Sequence, residues 1–140
     1  MSDLSVFFAQ NADAGAAEDF IVSGRFKDKA GKPVPWKLRT MTEEENEDCR
    51  KKATKRVKGK NGAMQQETDT DEYVAKMCVA SVVFPNLKDA ELQKSYGILG
   101  ADSLLKKMLL PGEYIALVQK VQEMNGFDKD MNELVDEVKN

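Results

Sequence analysis

No histidine occurs anywhere in the 140 residues. The commonest general base is therefore missing, and with it any Ser–His or Cys–His nucleophile pair. Only two cysteines occur, Cys49 and Cys78, and neither has a CxxC partner. Zinc takes about four Cys or His ligands, so a zinc site is excluded on ligand supply. Both cysteines fall inside helical patterns, and free buried thiols in a reducing compartment account for them better than a disulfide. Phosphate-binding fingerprints are absent as well: Lys58-Gly59-Lys60-Asn61-Gly62 has neither the GxxxxGK[ST] spacing nor a buried strand before it, and there is no GxGxxG. Asp128-Lys129-Asp130-Met131-Asn132 opens like a calcium loop. Glu133 then stands at the sixth position, where Gly is needed, and Lys139 at the twelfth, where a bidentate Glu is needed. A helix cap explains that stretch better. No apolar run approaches the ~20 residues of a membrane-spanning helix. Met1–Gln10 holds an apolar patch, Val6-Phe7-Phe8, without a basic region before it, so it does not read as a secretory signal.

What is present is an ordinary globular composition, 41% hydrophobic and 32% charged, in a length that suits one domain. The formal net charge of −3 supplies no global attraction toward nucleic acid or an anionic membrane. The dense acids, Glu43-Glu44-Glu45 and Asp69/Asp71/Glu72, lie at expected helix starts, where they complement the macrodipole. Capping is thus their better explanation than carboxylate catalysis. Arg50–Lys60 carries seven Lys or Arg in eleven residues and is the strongest nucleic-acid signal in the chain. No aromatic is interleaved for base stacking, and five acids precede it on the same expected helix. From residue 61 onward eight basic side chains face fourteen acidic ones, a net of −6. The run is best read as a solvated helix face, with a protein-partner surface next and nucleic acid last.

Periodicity divides the chain in two. Residues 1–17 are loose and rich in small residues, an arm. A β-hairpin is expected over 19–40. Phe20, Val22 and Phe26 alternate with polar positions, as do Val34, Trp36 and Leu38, around the polar, Gly- and Pro-containing Lys27–Pro33. Pro35 has no amide donor, which predicts an edge position or an outward amide. Helices are expected from 42 to 139. Thr42–Glu45 is a capping box, and its helix is read as running through the basic tract to Lys58. Gly59–Thr68 reads as a polar loop. Asp69 or Thr70 caps a helix whose Tyr73, Val74, Met77, Cys78, Ser81 and Val82 make a core face, ended by Pro85. Asn86 caps a short helix to Tyr96, and Asp102 or Ser103 opens another. Pro111 begins a helix that Gly126 ends, and Asp128 begins the last. The expected fold is α+β and mainly α: one N-terminal hairpin followed by five or six short helices packed as one compact domain over 18–140.

Met77, Met108, Met124 and Met131 fall on helical core stripes, whereas Met64 lies in the polar segment. Such side chains repack easily around varied apolar partners, which suits a binding protein without requiring one.

The run Val34-Pro35-Trp36-Lys37-Leu38-Arg39 leading into Thr42-Glu43-Glu44-Glu45 resembles the start of tailed-phage tail assembly chaperones. Val83-Phe84-Pro85-Asn86-Leu87, then Asp102–Tyr114, then Met124-Asn125-Gly126-Phe127-Asp128, are similar to the XkdN-like branch found in prophages of Gram-positive bacteria. The likeness covers Phe20 to the C-terminus. It rests on spaced apolar, Pro and Gly positions and brings no catalytic motif. It implies a non-enzymatic helper in the host cytoplasm, without cofactor or metal, that binds the tape measure protein and keeps it soluble during tail morphogenesis. Such helpers are absent from the finished virion. Many also exist as a longer frameshifted product, of which this chain would be the short form.

The tail tube protein and a second copy of the chain are further expected partners, and the Val6-Phe7-Phe8 patch either docks on its own core or swaps onto a neighbour. The partner groove is expected between the Ser103–Leu110 helix, the Pro111–Met124 helix and the hairpin's apolar face, using Leu104, Leu105, Met108, Leu109, Tyr114, Leu117 and Val118. The alternatives are a structural tail-completion or connector protein and, less well supported, a small DNA-binding regulator using Arg50–Lys60.

Overall fold

In the computed structural model the described residues are 4–12 and 15–127; the helix expected from Asp128 lies outside them. A 3-10 turn, Leu4–Phe7, precedes a three-stranded antiparallel sheet. Strand β1 (Ala17–Phe20) pairs with β2 (Trp36–Arg39), with Phe20 opposite Trp36 and Ala17 opposite Arg39. The hairpin therefore exists, but it pairs over four residues and its first strand begins inside the stretch read as an arm. Most of 21–35 is a long connection, pinned by the Lys27–Pro33 bridge and by Val34 N–H donating to Phe26 O at 2.8 Å. Alternation in this connection persists because Val22 and Phe26 still turn inward. Val22 is buried, and Phe26 stacks at a tilt on Trp36 with centroids 6.2 Å apart.

The third strand was not expected. Helix α2 (Thr70–Ser81) stops one turn early, and Val82–Phe84 form β5 along β2, making the order β1-β2-β5. Two β-branched residues before Phe84-Pro85 favour extended backbone, and Pro85 disfavours α at Phe84. β2 is consequently the central strand. Pro35 escapes the conflict by sitting one residue before it.

Helix α1 (Glu43–Lys52) has the full capping box, with Thr42 accepting from Glu45 N–H and the Glu45 carboxylate accepting from Thr42 N–H. It ends six residues short of the expected Lys58. β3 (Thr54–Lys58) and β4 (Met64–Thr68) then form a separate two-stranded ribbon with five registered pairs, from Thr54–Thr68 to Lys58–Met64. The polar loop shrinks to the ribbon's turn, where Gly62 adopts φ 83°. Every residue of β4 is exposed. With no buried face there is no apolar period to signal a strand, and the charges mimicked a solvated helix.

Helices α3 (Ala90–Ser95), α4 (Ala101–Met108) and α5 (Pro111–Met124) complete the described fold. α3 is capped by Asp89, whose carboxylate accepts from Leu92 N–H, in place of Asn86; Asn86 instead accepts from Lys88 N–H in the preceding turn. α4 starts from Gly100 at φ 100° with no side-chain cap, in place of Asp102 or Ser103. One continuous core joins the sheet to α2, α4 and α5 through Trp36, Leu38, Cys78, Leu104, Leu117 and Val121. The architecture is α+β, with the sheet on one side of the helices.

Candidate partner-binding surface

The residues singled out as a partner groove separate by depth. Leu104, Leu105 and Leu117 have no exposed surface, and Met108 and Leu109 are also buried. They belong to the core cluster with Trp36, Leu38 and Val22, so the space between α4, α5 and the hairpin is filled by the protein's own side chains. A core stripe and a binding stripe have the same helical period, and only packing distinguishes them. Tyr114 and Val118 are half-buried, packed against the core cluster and partly exposed along the edge of α5.

There they line an apolar cleft of about 310 Å³ with Val74 of α2, Ile115 and Gln119 of α5, Asp71 of α2 and Lys106 of α4. On α2, Asp71 and Val74 are three residues apart, and on α5 Tyr114 and Val118 are four apart, so each pair shares a helix face. An apolar cavity of about 150 Å³ admits a benzene-sized group, so this cleft has room for roughly two apolar side chains. Ile115 is 56% exposed. It is the signal that sequence reasoning passed over, a large β-branched residue off the core stripe of α5. Burial holds the Tyr114 hydroxyl up at about 12, with nearby carboxylates, including Asp71, pushing the same way. The phenol is thus neutral at physiological pH and presents an uncharged wall.

Polar ties outside the cleft hold the helices that carry its residues. Lys76 donates to Asp102 at 2.9 Å and joins α2 to α4. At the start of α5, the Glu113 carboxylate receives Arg25 Nη2 at 2.5 Å, Arg25 Nε at 3.1 Å, the buried Ser23 hydroxyl, and Leu110 N–H at 2.8 Å. These donors, Arg25 first, hold Glu113 down at about 2. Arg25 also donates to Met108 O at 2.8 Å, closing the end of α4 that has no other cap.

A wider groove of about 1200 Å³ lies between α1, α2 and the β5–α3 segment. Its floor is apolar at Val79, Ala80 and Val83, but its rim carries five acids and five bases. Most are already paired: Arg39 with Glu45, Lys51 with Glu47, Lys52 with Asp48, and Lys76 with Asp102. Such a groove has little net field and a lining that is about half polar, whereas the smaller cleft is mainly apolar, so the smaller cleft is the better binding candidate. Among the described residues, exposed apolar side chains also cluster at Leu4, Val6 and Phe7 and at Val83 and Phe84.

The described residues contain no group of three metal-binding side chains, and no described helix is long and apolar enough to cross a membrane. Cys78 is pushed up to about 12 by burial, and Cys49 is raised by burial first, so neither favours the reactive thiolate.

Comparison with known proteins points one way. The chain is 33% identical to YqbN of Bacillus subtilis (strain 168) over 141 residues, covering 99% of this chain and 93% of that protein. It is 29% identical to the phage-like element PBSX protein XkdN of the same organism, covering 99% and 94%. The crystal structure of YqbN superposes with a TM-score of 0.78 at 27% identity, covering 91% of this chain and 99% of that one. The family model of the phage XkdN-like tail assembly chaperone proteins matches residues 4–139, and the chain belongs to that family.

Proposed function

We propose that this tail assembly chaperone acts without catalysis, in the host cytoplasm, by binding apolar helical segments of the phage tape measure protein and keeping them soluble until the tail tube forms around them. The observation that carries the reading is the open cleft of Val74, Tyr114, Ile115 and Val118, a surface that stays partly apolar on a chain with a filled core. An amphipathic helix laid across α2 and α5 places its apolar side chains there. Burying one such side chain is worth about 1.5–3 kcal/mol, too little for a tight single site. Many copies along one long chain reach useful occupancy by avidity, and weak sites release readily when the tube polymerises. The non-catalytic part is supported by the absence of histidine and by the directions of the shifted groups. Glu45 and Glu113 lie at about 2, and the thiols are raised, so none of these four is poised for proton transfer near neutrality.

Co-expression with a tape measure fragment tests the reading. The soluble yield of the fragment should rise with the wild-type chain and fall back with Ile115→Asp. No gain over an unrelated small protein would remove the tape measure from consideration. Mass spectrometry of purified particles addresses the structural alternative: the chain should be missing from mature virions.

A further inference from the structure

The cleft has a charged frame that the apolar reading leaves unused. Asp71 of α2 and Lys106 of α4, both exposed, line the cleft together with the apolar Val74, Tyr114, Ile115 and Val118. Neither takes part in a hydrogen bond or ion pair among the described residues. Of the nearby charges Lys76, Asp102, Glu72 and Arg25 are paired, whereas Lys107, beside Lys106, has no ion-pair partner among the described residues and does not line the cleft. Asp71 in the first turn of α2 and Lys106 in the last turn of α4 do complement their helix dipoles, but a dipole end leaves a charge free to bind an opposite one.

We propose that the cleft selects a partner helix by charge as well as by apolarity: an apolar stripe flanked by a basic residue on one side, meeting Asp71, and an acidic residue on the other, meeting Lys106. This rests on the reading of the cleft as the helix-binding site. Opposite charges on two different helices make the flanks of a bound helix inequivalent, because exchanging the flanks brings like charges together. A solely basic, solely acidic or neutral flank satisfies at most one of the two.

The probes are four synthetic helical peptides of about 21 residues, long enough for measurable helicity. All carry the same leucine stripe and differ in the flanks: Lys on one side and Glu on the other, Lys on both, Glu on both, or Gln on both. Binding to the full chain is measured by fluorescence anisotropy at low salt. The mixed peptide should bind about two- to fivefold tighter than the Gln peptide, the range expected of exposed charge pairs. Asp71→Lys should move the preference to the Glu-flanked peptide, and Lys106→Glu to the Lys-flanked one. The preferences should fade near 1 M salt, where the screening length is about 3 Å. Thermal melts of both variants check that folding is retained, with Asp71→Asn as a milder substitute that should only erase the preference for a basic flank. Equal binding of all four peptides by wild type and variants overturns the charge frame and leaves the apolar cleft standing. If even the Gln peptide fails to bind, and Ile115→Asp leaves the tape measure fragment soluble, the site itself is misassigned and both readings fall.

Discussion

Glu113 shows how much of the placement of α5 hangs on one side chain. It anchors the 21–35 connection through Ser23 and Arg25 and caps α5 through Leu110 N–H. Glu45 does the same between β2 and α1, bonded by Arg39 and Thr42. Both carboxyls sit at about 2 against an ordinary 4.5, so their stabilising effect is present above pH 4.5 and is lost as pH falls from there through about 2. Thermal melts between pH 6 and 2 should show the wild type losing stability over that window. Glu113→Gln and Glu45→Gln should each start lower and lose less; a parallel fall in all three proteins would place the acid sensitivity elsewhere. The sequence disclosed the Thr42–Glu45 box because its partners lie three residues apart. It could not disclose Ser23–Arg25–Glu113, whose members are separated by about ninety positions. Buried and exposed members of one stripe also part at this scale. Leu104→Ala should cost about 2–5 kcal/mol of stability through the cavity it leaves. Ile115→Ala, on the surface, should stay within about 0.5 kcal/mol while weakening partner capture. Denaturant melts of the two variants check the difference.

Among the elements, the β3–β4 ribbon is the one whose stability is most its own. It has no buried face on β4, and a two-stranded ribbon is marginal in water. Thr54 and Thr68 bond across it at 2.7 Å, Asp69 N–H donates to Ala53 O at 2.8 Å, and Gly62 closes the turn at positive φ. Hydrogen exchange should therefore be faster in Thr54–Thr68 than in α2 or β2. Gly62→Val should fray the ribbon with little change in global melting, because the turn has left-handed backbone and no core contact. A global loss comparable to Leu104→Ala would mean the ribbon folds as part of the core. The helix starts at Thr42, Asp69 and Pro111 were legible because caps and first turns are local chemistry. The basic stretch misled because charge alone is compatible with helix or strand when neither face is buried. β5 was hidden for the opposite reason: three apolar residues continuing a helical stripe gave no sign that β2 needed a partner.

At the scale of the whole molecule, the candidate cleft borders the core along α5, with Tyr114 and Val118 packed against the core cluster and Ile115 turned away from it. Leu117 and Val121 are buried in the core cluster, while Val118 is shared between core and cleft and Ile115 is exposed at the cleft. Stability and binding can therefore be altered separately. Ile115→Asp should abolish solubilisation of a tape measure fragment while the circular dichroism spectrum and cooperative melt persist. Loss of both together would show that the cleft is part of the core. The molecule is also dipolar, since Arg50–Lys60 is basic while the chain beyond it carries −6. Three of those cations, Arg56, Lys58 and Lys60, have no ion-pair partner among the described residues. Polyanion binding through them would show as an affinity that falls steeply with salt.

Local chemistry and periodicity, which are carried within a few residues, determined by themselves the α+β class, the caps at Thr42 and Asp69, the core stripes of α2, α4 and α5, and the want of histidine-based chemistry. The tertiary structure alone decided that β2 is central, that the basic tract leaves the helix to form a ribbon, and that Leu104, Leu105, Met108, Leu109 and Leu117 are interior while Ile115 and Val74 border an open cleft. An apolar residue at helical spacing carries the same signal whether its neighbour belongs to the same chain or to a partner. Which of the two covers it depends on the relative placement of helices far apart in sequence.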